Sequence, residues 1–148
     1  MVENTENRAG SEIGRDCLAV RIRMLNRIIT SIYDDALRPL GITTSQANML
    51  TAIDQVGPVK QAQLAEYLHI EKSTLSRNLS LMKKRGWVCT LPGEDERSHT
   101  VAITARGTKL LEDSLPSWRK AQQAAVGILG DEGAATLKAV ANRYLPTP

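Results

Sequence analysis

Apolar residues recur at steps of three and four along residues 16–37. Leu18, Ile22, Leu25, Ile29, Ile32 and Ala36 therefore share one face of a predicted helix. A second apolar row, Cys17, Val20, Met24 and Ile28, widens that face beyond what one neighbouring helix covers, so packing against both its own chain and another is expected. Pro39, Leu40 and Gly41 stop the helix. Thr43 stands three residues ahead of Gln46 in a capping-box pattern, which opens a second helix over about 44–56 with Ala47, Leu50 and Ile53 inward. Gly57 and Pro58 close it.

The next stretch changes period twice. Residues 61–68 form a short helical pattern, His69, Ile70 and Glu71 a turn, and residues 72–85 a second helix in which Leu75, Leu79 and Met82 share one side. At about 100° per residue, Ser73, Arg77, Ser80 and Lys84 fall on the opposite side. Gly86 suits a left-handed helix cap. Trp87 to Leu91 then reads as a strand, residues 92–98 as a charged tip, and His99 to Ile103 as the returning strand, with Val101 and Ile103 inward.

The flanks are helical in pattern. Residues 1–11 are polar and read as a flexible leader. Thr104 and Gly107 open a long helix carrying Leu110, Leu111, Leu115, Trp118, Ala121 and Ala125, which Pro116 is expected to bend or split. Gly130 and Asp131 separate it from a last helix over about 131–145. The expected architecture is mainly α with a small antiparallel β wing. A winged helix-turn-helix (41–104) is flanked by an N-terminal helix (12–40) and C-terminal helices (105–148) that together form a dimerisation region.

Composition narrows the chemistry. The chain has 148 residues, 42% of them hydrophobic but only 3% aromatic, with no Phe. Its core is therefore mainly aliphatic, and too few rings are present for a base-stacking platform of the kind that binds single strands. The net charge of +3 says less than its distribution, because Lys72, Arg77, Lys83, Lys84 and Arg85 cluster. Two cysteines, Cys17 and Cys89, form no CxxC pair, and His69 and His99 lack spaced partners, so no metal or cofactor is expected. The absence of a signal-peptide pattern and of a long apolar run points to a cytoplasmic protein without a membrane partner. No Gly-rich phosphate loop, paired carboxylates or Ser, His and Asp signature indicates an enzyme.

A helix that enters the major groove must bury its back and present short polar and basic side chains forward. Residues 61–85 meet that demand. Arg77 is the candidate for a base edge, since a guanidinium can bond guanine O6 and N7 together. Ser73, Thr74 and Ser76 suit phosphate oxygens or base edges near the helix start, and Lys72 or Lys84 adds charge toward the backbone. In the wing, Arg97 is placed for a narrow minor groove with Asp95 orienting it, although Glu94 and Glu96 are repelled by phosphate. The alternative is a winged-helix protein-interaction module whose basic face meets acidic side chains. Trp87 and Trp118 read as packing residues.

The segment QLAEYLHIEKSTLSRNLSLMKKRGWV, the wing GEDERSHTVAIT and the run YDDALRPLGIT resemble the MarR family of bacterial winged-helix regulators over about 16–145. The resemblance implies a homodimer with interlocked terminal helices, a roughly palindromic double-stranded operator, and repression relieved by a small molecule. It assigns recognition to Ser73, Thr74, Ser76 and Arg77, and the minor-groove contact to Arg97 beside Asp95. Effectors of such proteins are commonly phenolic or aromatic acids held between the dimerisation helices and the winged helix. Arg15, Arg21 and Arg23 are this chain's candidates for meeting the carboxylate. A peroxide-sensing branch of the family carries a reactive cysteine in its first helix, which makes a redox-responsive repressor using Cys17 a further alternative. The flanking Arg15 and Arg21 favour a thiolate there, whereas an apolar stripe opposes it.

Overall fold

The computed structural model describes residues 8–93 and 98–145. In chain order they form α1 (Arg8–Asp16), α2 (Leu18–Leu37), a 3-10 turn (Arg38–Leu40), α3 (Thr44–Val56), α4 (Gln61–Tyr67), α5 (Lys72–Lys84), β1 (Val88–Pro92), β2 (His99–Ile103) and α6 (Ala105–Ala141). The middle of the chain builds one aliphatic core. Leu50 and Ile53 of α3, Leu64 of α4, and Leu75, Leu79 and Met82 of α5 are all buried in it with Val88 and Val101 from the strands.

Local signals fix most of the boundaries. Thr43 Oγ1 accepts the Gln46 backbone N–H at 3.2 Å while Gln46 Oε1 accepts the Thr43 N–H at 3.2 Å, so the capping box that the sequence predicts starts α3. Such a box satisfies two otherwise orphaned donors, and its loss costs about 1 kcal/mol. At the far end of α5, Gly86 (φ 74°) donates to Lys83 O at 2.9 Å and Trp87 N–H donates to Met82 O at 2.9 Å. This pair of bonds is a Schellman cap, and the buried Met82 and Trp87 at its two ends supply the apolar contact that accompanies one. Trp87 is thus part of the helix cap. The strand begins one residue later than the alternation suggests and pairs antiparallel, from Val88 opposite Ile103 to Pro92 opposite His99.

The helix-turn-helix corner uses the same device with an unusual residue. Ile70 N–H bonds Ala65 O at 3.0 Å and His69 N–H bonds Glu66 O at 3.1 Å, with His69 itself left-handed at φ 52°. That conformation is ordinarily taken by Gly or Asn. His69 is exposed, and its Nε2 lies 3.1 Å from Tyr144 O.

Four features depart from the sequence expectation. Helix α1 already covers Arg8 to Ser11, positions expected within the leader; residues 1–7 lie outside the described part. The first long helix is interrupted at Cys17 (φ −67°, ψ 113°), so Cys17 caps α2 and does not continue its apolar stripe. Helix α6 runs through Pro116 without splitting there, while its break at Gly130 (φ 71°, ψ 161°) falls where the sequence puts it. Pro116 and Glu112, whose carbonyl loses its usual donor, are both exposed, so water can solvate the orphaned group and the helix tolerates the ring. Finally, Val59 joins the wing sheet, exchanging backbone bonds with Val101 at 3.0 and 2.8 Å.

Helices α2 and α6 pack together. Only the second half of α2 is covered by this contact: Ile29, Ile32 and Ala36 are half-buried, whereas Leu18 is 72% and Ile22 64% exposed. Ile13 on α1, and Ile128, Leu137 and Val140 on α6, are also exposed.

Candidate nucleic-acid interface

Helix α5 has two sides of opposite character. Leu75, Leu79 and Met82 fasten it to the core, while Lys72, Ser73, Ser76, Arg77 and Lys84 are exposed and Thr74 is half-buried. The predicted recognition residues are therefore brought to one surface. Two neighbours turn inward on the helix: Ser80 Oγ donates to Ser76 O at 2.9 Å, and Asn78 Nδ2 donates to Thr74 O at 3.0 Å. No such bond or ion pair holds the Arg77 guanidinium among the described residues.

The start of α5 is open as well. Its N-cap, Glu71, makes no side-chain capping bond. The first backbone N–H groups of the helix thus have no acceptor in the N-cap side chain, an arrangement that favours an anion such as phosphate. At the other end the basic run divides. Lys84 is exposed, whereas the Arg85 guanidinium lies 5.5 Å from the Trp87 ring centroid in a cation–π contact.

The hairpin is closed at its base by a 2.7 Å bond from Gly93 N–H to Ser98 O. Asp95 and Arg97, with Glu94 and Glu96, lie outside the described residues. The wing is anchored on its other side by Thr104. Its Oγ1 donates to Gly86 O at 2.6 Å and accepts the Gly107 N–H at 3.1 Å, while its backbone N–H donates to Trp87 O at 3.0 Å. The hairpin therefore leaves and re-enters the body at the end of the recognition helix.

Between α2, α3 and α6 lie two adjoining cavities of about 290 and 350 Å³ that share Leu37, Ala47, Asn48 and Trp118. Ile29, Leu111 and Leu115 add apolar wall. Asn26, Thr30, Tyr33, Thr44, Thr51 and Ser114 add neutral polar groups. Two long-range contacts bound the space. The Tyr33 hydroxyl of α2 donates to Gln122 Oε1 of α6, and Asp34 Oδ1 accepts both Thr44 N–H and Thr44 Oγ1–H at 2.7 Å. Burial raises the Tyr33 pKa above its ordinary value, so the phenol is neutral at physiological pH.

None of Arg15, Arg21 or Arg23 lines either cavity. Arg21 instead donates to the carbonyls of Gly14 (3.4 Å), Arg15 and Cys17 (3.1 Å), completing the C-terminal end of α1. Arg15 faces Asp16 at 3.6 Å, and Arg23 is exposed. Cys17 is half-buried at this junction, and it is its carbonyl that meets Arg21. Sequence reasoning missed the cavity residues Asn26, Asn48 and Thr51. They are unremarkable in sequence and converge only through packing.

Residues 40–98 match the family model described as MarR family. An uncharacterised HTH-type transcriptional regulator of Bacillus subtilis, YwoH, is 30% identical over 93 residues, which cover 63% of this chain and 68% of that protein. The chain belongs to the MarR family. Among solved structures, a mutant MarR from E. coli complexed with operator DNA aligns with a TM-score of 0.79 at 26% identity, covering 90% of this chain and 97% of that one. The M. tuberculosis regulator MosR, solved in complex with DNA, aligns at 0.75 with 31% identity, covering 87% and 94% respectively. These MarR-type alignments extend beyond the winged helix into the flanking helices, because they cover far more of the chain than residues 40–98. Among the described residues no helix is long and apolar enough to cross a membrane, and no cluster of His, Cys, Asp and Glu is suited to a metal ion.

Proposed function

We propose that this MarR-family chain is a sequence-specific transcriptional regulator that binds double-stranded DNA as a homodimer and acts as a repressor released by a small molecule. The observation that carries the reading is α5: its back is locked into the core and its front exposes Ser73, Ser76 and Arg77 ahead of an uncapped N-terminus. Arg77 reads a base edge, and Ser73, Thr74 and Ser76 contact phosphate or base edges at the helix start. Lys72 and Lys84 neutralise backbone charge, and Arg97 with Asp95 takes the minor groove. The solved complexes of E. coli MarR and M. tuberculosis MosR with DNA support this reading.

The dimer rests on the apolar surface that one copy leaves uncovered, Ile13, Leu18 and Ile22 on α1 and α2 with Leu137 and Val140 on α6. Burying such a face against a second chain removes apolar area from water. The effector site is the pair of cavities between α2, α3 and α6, where a ligand adjusts how the winged helix sits on the dimerisation helices.

The dimer has a direct test in Ile22→Glu, a change on the surface of a single chain that leaves the aliphatic core intact. Sedimentation is expected to show a folded monomer, and affinity for a duplex bearing both half-sites is expected to fall on the order of 100-fold as two linked contacts become one. A variant that remains dimeric would place the interface elsewhere. A monomer with unchanged affinity would remove the dimer from the mechanism.

A further inference from the structure

We propose that the cavities between α2, α3 and α6 select an uncharged aromatic molecule carrying hydrogen-bonding groups, and discriminate against a carboxylate. The inference rests on the effector reading above and adds the charge class of the ligand. Among the described residues of the chain, no Lys, Arg or His lines either cavity, so none of them offers a cation to compensate a carboxylate. The polar wall is made instead of amides and hydroxyls, Asn26, Asn48, Thr30, Thr51 and Tyr33, which donate and accept with neutral partners. A full charge tied to the wall is negative, since the Asp34 carboxylate holds Thr44 through two 2.7 Å bonds.

Three arginines on α1 and α2 do not change this balance. Arg21 is committed to the carbonyls at the end of α1, Arg15 faces Asp16, and Arg23 lies on the exposed first half of α2, ahead of the first lining residue, Asn26. Burial also raises the Tyr33 pKa, as expected of a space that disfavours negative charge. Aromatic shape follows from the wall itself. Trp118, 43% exposed, lines both cavities together with Leu37 and Ala47, and volumes of about 290 and 350 Å³ suit a small planar molecule.

The test uses the full chain with 2-hydroxybenzamide and 2-hydroxybenzoate, which share a ring and hydroxyl and differ in charge at neutral pH. Binding is read from Trp118 fluorescence, with Trp118→Phe as the control that removes the signal; Trp87 is only 5% exposed and lines neither cavity. The amide is expected to bind at least about tenfold more tightly than the acid, the acid having to leave water without a counter-charge. Asn48→Lys, which places a cation in the shared wall, is expected to reverse the preference. Equal or tighter binding of the acid to the unaltered chain would overturn the inference and leave the effector site standing. An unreversed preference in Asn48→Lys would also overturn it. Silence of Trp118 toward both probes up to about 10 mM would overturn the inference and the effector reading together.

Discussion

In Arg77→Ala, operator affinity is expected to fall by about 5- to 150-fold, corresponding to the roughly 1–3 kcal/mol of a two-bond contact between a guanidinium and a base edge. Arg77 is exposed on a helix whose opposite face, Leu75 and Leu79, is fully buried, so truncating it leaves the fold and the dimer unchanged. Its guanidinium has no intramolecular partner among the described residues, so no stabilising bond is lost with it. The loss should be confined to the specific site, with base preference relaxed at one position of each half-site. Lys84→Ala should behave differently: a cation facing phosphate weakens binding to all sequences alike and lowers the salt dependence by about one counterion. Anisotropy titrations against specific and scrambled duplexes across a range of salt separate the two. An Arg77→Ala chain that binds its site as tightly as the parent would reject the assignment, and would favour a winged helix that meets protein in place of DNA.

Gly107→Ala should cause the largest loss of stability from a single methyl group. A Cβ at this position would stand 2.2 Å from Trp87 O, 2.8 Å from Ile103 Cγ1 and 3.1 Å from Trp87 C. The obstruction is backbone and cannot rotate away. Trp87 O is also held in place by the Thr104 backbone N–H at 3.0 Å. Relief therefore requires the start of α6 to part from the end of α5, breaking the cap that Thr104 makes on α6. A cost of about 2–3 kcal/mol follows, lowering Tm by on the order of 10 °C, with the wing displaced in the folded fraction. Thermal unfolding measures the first effect. A Tm within about 2 °C of the parent would show that this joint is looser than its geometry implies.

What could be read from the residue order was whatever local chemistry decides. The Thr43 and Gln46 box, the Leu75, Leu79 and Met82 spacing and the Gly86 cap each need only a few neighbouring residues, and each stands where the sequence puts it. The recognition surface followed from those three signals. Features that depend on distant partners were not legible. Tyr33 meets Gln122 across 89 positions, and Val59 finds Val101 only because the hairpin folds back beside it. The break at Cys17 has no Pro or Gly beside it to announce it; Arg21 stabilises it from one turn further on. That same contact removes Arg21 from the candidates for an effector carboxylate, a competition that charge alone could not reveal. Pro116 misled because its helix-breaking effect depends on whether the orphaned carbonyl can reach water.

In the proposed function, two copies of α5 are held by the flanking helices at a separation that matches two half-sites. Selection of bound duplexes from a random-sequence library by the full chain, followed by sequencing and by the mass of the complex on the winning duplex, tests it most directly. An inverted repeat with half-site centres about one helical turn apart, occupied by two chains, is the predicted result. Recovery of only asymmetric single sites bound by one chain, or no enrichment over the starting pool, would contradict it.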